Sequence, residues 1–466
     1  MIQYNKVTPA VVEALKHIVG DKYVITDEEK MLPYSHDEVT DSRYHHMPEV
    51  VVLPRTAQEI AEIVKLANRE LIPIVPRGAG TGLACGAVPV HGGIVLSLER
   101  MNSILELNTD SLYMVVEPGI RTDDVQNAAR EAGLFYAGDP CSGDSCFIGG
   151  NVATNAGGNR AVKYGTTRDQ VYAIEVVTPR GDIVTLGGRL EKVTTGYRLD
   201  QLIIGSEGTL GIITKITLKL MPLPQHVVDL LAVFPDIDTA IGLVPKLIKA
   251  GITPTCVEFM DNITIRSVER FLNEKLPHSE NGHYVIVQVE GENEDDLDNK
   301  SVLLDELCTE HGAMSVLVAD PKKIWRARKS FAEAVRHESL IQAKEDIVVP
   351  VDQIPAMMRE IAVLSEKYGL ATRTASHAGD GNIHLNILKG DMPDGEWDAK
   401  LDAFQHELYK CVYRLGGKLS GEHGIGYKRK QLMQEFTDPV ELEMMRAIKK
   451  ALDPNLILNP GKIFDV

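Results

Sequence analysis

The sequence predicts an α+β chain with more than one domain. Its 466 residues exceed what one ordinary hydrophobic core supports. Short β-branched runs alternate with helical patterns from Val50 onward. Two prolines in Met221-Pro222-Leu223-Pro224-Gln225 then interrupt that texture, and a second strand–helix series follows.

In order, residues 1–45 read as a polar, helical preamble, with a loop at 41–50 before the first strand. Strands are expected at 50–54, 72–76, 94–98 and 114–118. A helix is expected over 57–68. Another is expected over 122–132, with Thr122 as its N-cap and Asp123 and Asp124 in its first turn. Beyond the proline break come a strand at 227–234, a helix at 238–250, a strand at 284–291 and a helix at about 295–311. The acidic run at 292–298 reads as a solvated helix start. Neither an internal repeat nor a low-complexity segment is visible.

Hydrophobic residues make up 44% of the chain and charged residues 25%, an average globular balance that excludes disorder, collagen and coiled coil as the main theme. Asp plus Glu number 66 against 49 Lys plus Arg, a formal charge of −17. Such a surface argues against nucleic acid and anionic membranes. Cys85, Cys141, Cys146, Cys256, Cys308 and Cys411 are scattered, with no C-x-x-C pair. That disfavours a disulfide scaffold and an iron–sulfur cluster held within this chain. The first twenty residues lack an apolar signal core, and no run approaches 18 apolar residues, so a cytoplasmic enzyme is expected.

The first chemical motif is Pro76-Arg77-Gly78-Ala79-Gly80-Thr81-Gly82-Leu83, directly after a strand. Successive N–H groups in such a loop can cup a phosphate, and a plain glycine turn is the alternative. The G-x-G-x-G spacing is not the Rossmann fingerprint, and no Gly-Lys-Ser/Thr marks a Walker loop. Further along come Gly149-Gly150-Asn151-Val152-Ala153-Thr154-Asn155-Ala156-Gly157-Gly158, then 163–169, then Gly205-Ser206-Glu207-Gly208-Thr209-Leu210-Gly211-Ile212-Ile213-Thr214.

In this order the motifs resemble the vanillyl-alcohol oxidase / p-cresol methylhydroxylase superfamily of FAD enzymes, over residues 50–466. The resemblance implies a two-part FAD-binding domain and an α+β cap domain with an antiparallel sheet. Residues 77–83, with Pro76, would wrap the FAD diphosphate. Asp139, Pro140, Gly149, Gly150, Asn151, Ala153, Asn155, Gly157 and Gly158 would line the flavin and ribityl chain. Gly208, Ile212 and Ile213 would line the adenine side. Members with covalent flavin carry His where this chain has Thr81, so non-covalent FAD is expected; attachment through Cys141 or Cys146 is the alternative.

A second constellation, His377-Ala378-Gly379-Asp380-Gly381-Asn382-Ile383-His384-Leu385-Asn386, is followed by Gly421-Glu422-His423-Gly424. Imidazoles with a carboxylate and open positions suit Zn²⁺, Mn²⁺ or Fe²⁺ as a Lewis acid; satisfied polar turns are the alternative. These motifs resemble the FAD-dependent D-2-hydroxy-acid dehydrogenase branch. The resemblance assigns His377, His384 and Glu422 to a metal, Asn386 to substrate positioning and His423 to the general base. Arg328, or Arg326 beside it, would bind the substrate carboxylate, with Lys344 as a second cation or else a surface lysine. D-lactate is the first substrate expected, with glycolate and D-2-hydroxyglutarate as alternatives. Hydride would pass to flavin N5. The electrons would go to an electron-transferring flavoprotein, in an electron-bifurcating complex, or else to an iron–sulfur partner or quinone. A redox-neutral flavin transferase and a non-catalytic flavin subunit are the other readings. The expected domains are an N-terminal helical segment (1–45), the FAD domain (46–224), the cap (225–418) and a segment returning to the flavin (419–466).

Overall fold

The computed structural model describes residues 3–466, which fall into two compact units. The first comprises residues up to 157, 166–223 and 423–466; the second comprises 158–165 and 224–422.

The first unit holds two main sheets. Val50–Val52, Ile94–Ser97 and Ile74–Arg77 run parallel, and Val24–Ile25 pairs antiparallel with Val50–Val52. Continuous apolar runs suit a parallel sheet covered on both faces. Val50, Val52, Ile74, Ile94 and Leu96 pack with Val11 and Leu15 of the helix Pro9–Val19 and Ile60 and Val64 of Ala57–Glu70. The alternate residues Val51, Val75 and Val95 pack with Met31 and Leu53. Thr56 caps Ala57–Glu70 by accepting the Glu59 N–H at 3.2 Å.

The other sheet is antiparallel, in the order Ile104–Asn108, Tyr113–Val116, Ile212–Lys219, Val171–Val177, Ile183–Gly187. Its core includes Val125 and Ala129 from the helix Thr122–Glu131. Thr122 is not the cap expected of it. Arg121 takes the N-cap position without a side-chain capping bond, and Thr122 is buried as the first helical residue. Its hydroxyl accepts the Asn151 amide at 2.6 Å and lies 3.2 Å from the Cys146 sulfur.

The second unit is built on a seven-stranded antiparallel sheet. Across it lie Ser315–Val318, His226–Phe234, His283–Gly291, Cys256–Met260, Ala371–His377, Asn382–Leu388 and Gln342–Val348. The single helix expected at 238–250 is two, Ile237–Gly242 and Val244–Lys249. Pro245, which has no N–H to continue the ladder, lies in the first turn of the second. Both units are α+β, as the sequence predicts.

The C-terminal tail closes the first unit's core. After the helix Pro439–Leu452, Leu458 forms a parallel bridge with Ile74. Lys462 follows, 3% exposed, and donates to the Val88 carbonyl at 2.7 Å and to Asn459 Oδ1 at 3.3 Å. Burial pushes its ammonium down to about 7. An unfolded lysine titrates near ~10.4. Across the window between those values the unfolded chain holds a proton that the folded chain has shed, so this group's contribution to stability rises with pH. The difference in Tm between Lys462→Met and the parent should therefore shift steadily in the parent's favour from pH 7 to 9.5, as thermal melts across that range would register.

Candidate active site

In the first unit the three glycine-bearing segments meet. A Cβ built on Gly78 would stand 3.6 Å from the Gly150 backbone, and one on Gly208 would stand 3.1 Å from the Pro76 ring. So the loop following Ile74–Arg77, the helix Ile148–Thr154 and the 205–213 segment approach one another within one unit. Arg77 is buried and donates to the Pro33 carbonyl at 2.9 Å, while its Nη1 has no hydrogen-bond partner. The Ser206 hydroxyl is likewise buried without one. Unsatisfied buried donors beside glycine backbone fit a diphosphate and its sugars.

Other predicted flavin residues serve the fold with their side chains. Asn151 bonds Thr122. Asn155, with φ +51, accepts from the Thr166 hydroxyl and the Arg168 N–H, both at 2.9 Å. Ile212 and Ile213 are core residues at the start of a strand, and the Ala153 carbonyl accepts the Glu207 N–H at 2.7 Å. Gly157 falls in the first unit and Gly158 in the second. Asp139 and Pro140 precede Cys141, which is exposed, whereas Cys146 is buried. Thr81 is part-buried within the glycine loop.

In the second unit the hairpin Ala371–His377 and Asn382–Leu388 pairs His377 with Asn382 and Ala375 with His384. Residues two apart on a strand share a face, so both imidazoles stand on the same side. Glu258 is opposite His377, Asp346 opposite His384 and Lys344 opposite Asn386, which extends that face across four strands. The Nε2 atoms of His377 and His384 lie 3.0 Å apart. Glu422 Oε1 lies 3.5 Å from the first and 3.2 Å from the second. A divalent cation with arms of roughly 2.0–2.2 Å separates its ligand atoms by about 2.8–3.6 Å in tetrahedral or octahedral geometry, so this donor set fits one. Burial works to raise the Glu422 carboxyl, and the two imidazoles outweigh it and hold the group well below the usual range.

Two carboxylates that the motifs do not contain organise this face. His377 Nδ1 is 2.7 Å from Glu258 Oε1, and Arg328 Nε and Nη2 both reach Glu258 Oε2 at 2.8 Å. Glu258 thereby orients His377 with Nε2 toward Glu422 and His384, as a carboxylate behind a metal-binding imidazole does. Burial would lower His377, and Glu258 outweighs that and holds it well above the ordinary histidine range. Asp346 accepts from the Asn382 amide at 2.7 Å, the Ser420 hydroxyl at 2.6 Å and the Glu422 N–H at 3.0 Å. It fixes the turn that presents Glu422.

Arg328 is anchored by the buried acid Glu258. The residue is 4% exposed and its guanidinium is engaged by Glu258, while Arg326 is exposed and pairs with Glu274 at 2.8 Å. A lone acid in the wholly buried strand Cys256–Met260 is the sequence signal that could have found Glu258. His423 begins the last segment of the first unit, directly after Glu422.

Residues 48–187 match the FAD binding domain, and residues 223–463 match the C-terminal domain of FAD linked oxidases. The chain belongs to the FAD-linked oxidases. Its cofactor is FAD. It is 38% identical to the D-lactate dehydrogenase of Anaerostipes hadrus, across 99% of this chain and 98% of that one. It is 36% identical to the glycolate oxidase subunit GlcD of Bacillus subtilis, across 98% and 97%. Among solved structures, substrate-bound p-cresol methylhydroxylase superposes with a TM-score of 0.84 at 19% identity, covering 100% of this chain and 99% of that one, which shows a shared fold. Among the described residues of this oxidase no helix is long and apolar enough to cross a membrane.

In this oxidase the Arg328–Glu258 pair is sealed from water, so removing one partner strands a buried charge, at about 3–5 kcal/mol. Glu258→Ala and Arg328→Met should each lower Tm sharply. The double variant should fall short of the sum of the two, by about 0.5–3 kcal/mol of coupling in a thermal or urea double-mutant cycle.

Proposed function

We propose that this FAD-linked oxidase oxidises a D-2-hydroxy acid to the 2-keto acid, with D-lactate to pyruvate as the first candidate. The observation that carries the reading is the convergence of the His377, His384 and Glu422 donor atoms, 3.0–3.5 Å from one another, in a chain whose family supplies FAD. Kinship with a protein named D-lactate dehydrogenase supports the choice of acid. Glycolate, and D-2-hydroxyglutarate with a longer chain, are the alternatives, differing in the pocket that takes the side chain.

When bound, FAD supplies the two-electron acceptor, and a divalent ion supplies the Lewis acid that acidifies the substrate hydroxyl. In the proposal His377, His384 and Glu422 hold that ion. Glu258 orients His377, and Arg328 anchors Glu258 while remaining the candidate cation for the substrate carboxylate. Lys344 and Asn386, on the same face, orient the carboxylate. His423 takes the hydroxyl proton on its imidazole, whose ordinary pKa of about 6.5 suits a base near neutrality. The glycine loop at 76–83 and the segments at 139–140, 149–158 and 208–213 hold FAD without a covalent bond. Acid precipitation should accordingly leave the flavin in the supernatant.

We assign reoxidation to a separate protein, an electron-transferring flavoprotein in a bifurcating complex. The scattered cysteines favour an external acceptor. The word "subunit" in the glycolate oxidase relative's name supports a partner, and an iron–sulfur protein or quinone is the other candidate.

Anaerobic D-lactate should bleach the bound flavin, with L-lactate inert. His423→Asn should slow that reduction by about 10²–10⁴-fold, the usual span of general acid–base catalysis; undiminished bleaching by every D-2-hydroxy acid would remove the base assignment. Chelation should abolish turnover, and Zn²⁺, Mn²⁺ or Fe²⁺ should restore it in the parent but not in His377→Ala. Full activity in chelated, metal-free enzyme would refute the metal reading.

A further inference from the structure

The turn that carries His423 is anchored by a residue to which the proposed chemistry assigns no part. The Ile425 N–H donates to Glu207 Oε1 at 2.7 Å, and the Gly426 N–H donates to Glu207 Oε2 at 2.8 Å. One carboxylate therefore takes two successive amides of the His423-Gly424-Ile425-Gly426 turn. From the other side, the Ala84 carbonyl accepts the Tyr427 and Lys428 N–H groups at 3.0 and 3.1 Å. The fit leaves no room for side chains. A Cβ on Gly424 would sit 2.7 Å from Glu207 Oε1, one on Gly426 would sit 1.9 Å from the Ala84 oxygen, and both glycines have positive φ. The glycines after His423 are thus explained by close approach to Glu207 and Ala84.

Glu207 is itself held in an unusual way. It is buried, and its φ of +52 is left-handed, a conformation that a non-glycine residue keeps only where its surroundings over-determine it. Its N–H donates to the Ala153 carbonyl at 2.7 Å, and its carbonyl accepts the Asn459 amide at 2.7 Å. It lies between Ser206 and Gly208 of one flavin motif. Ala153 belongs to a second, and Ala84 directly follows the first. The His423 turn is therefore tied to all three cofactor segments, within one compact unit.

We propose that Glu207 is a positioning residue for the proton acceptor: it fixes the His423 turn onto the segments that hold FAD. This rests on the reading of His423 as base, and the test separates the two. Gln cannot replace Glu here without loss, because its amide group would turn N–H toward N–H at one of the two bonds.

The experiment uses full-length, FAD-loaded Glu207→Gln. Hydrogen exchange at the Ile425 and Gly426 amides should rise at least tenfold. The limiting rate of anaerobic flavin reduction by D-lactate should fall about 10–100-fold, as small misplacements of a reacting group do. The half-saturating D-lactate concentration should change less than about threefold and the flavin content should not change, since the effect is on orientation rather than binding. Glu207→Asp, which keeps the charge on a shorter arm, should recover part of both the protection and the rate; it decides by the same readouts if the Gln variant does not hold FAD. Parent-like exchange, or a reduction rate within twofold of the parent, would overturn the proposal. If instead His423→Asn reduces flavin normally while Glu207→Gln loosens the turn, the base assignment fails and the anchoring by Glu207 stands.

Discussion

A carboxylate taken out of water is tolerable only where donors surround it, and three such groups set the geometry of this chain. Glu207 gathers two backbone amides of the 423–426 turn. Glu258 gathers Arg328 and His377. Asp346 gathers Asn382, Ser420 and the Glu422 amide. Each joins segments far apart in sequence, so each holds a functional loop more narrowly than apolar packing would. Apolar contacts tolerate sliding, whereas a buried carboxylate whose donors move away is left unsatisfied. The formal charge of −17 thus has an interior counterpart. Some of these acids act as nodes, and local cations and amides compensate them.

The features legible in the sequence are those whose chemistry forces a compact local pattern. Backbone that packs against backbone needs glycine, so the segments at 76–83, 149–158 and 205–213 announce themselves as places of close approach, and the structure brings them together. Two imidazoles on one hairpin need a short turn between them, so His377 and His384 are seven residues apart. Alternating strands and helices disclosed the α+β class because burial patterns repeat within a few residues. The second ring of residues was hidden for the converse reason. Glu258 meets His377 across 119 positions and Glu207 meets Ile425 across 218. Only strand register and loop packing bring them together, and neither is written in local spacing. Arg328 shows the same limit. The resemblance implies a substrate cation there, and its pairing with a buried acid on a distant strand is not legible from that motif.

Register also explains why two of the three converging donors sit on a sheet while the third comes from a turn. His377 and His384 share a face only because four residues turn the hairpin, so that His377 pairs with Asn382. A slip of one residue would send His384 to the opposite face and separate the two Nε2 atoms. Asn382 resists that slip, since its amide is held by both Asp346 Oδ1 and the Ile347 carbonyl. Asp346 also accepts the Glu422 amide, so the group that pins the hairpin register also places the third donor. The three donor atoms converge because one buried carboxylate is shared between the strand that carries the imidazole and the turn that carries the acid. That sharing ties the spacing of the three donors to a single buried group.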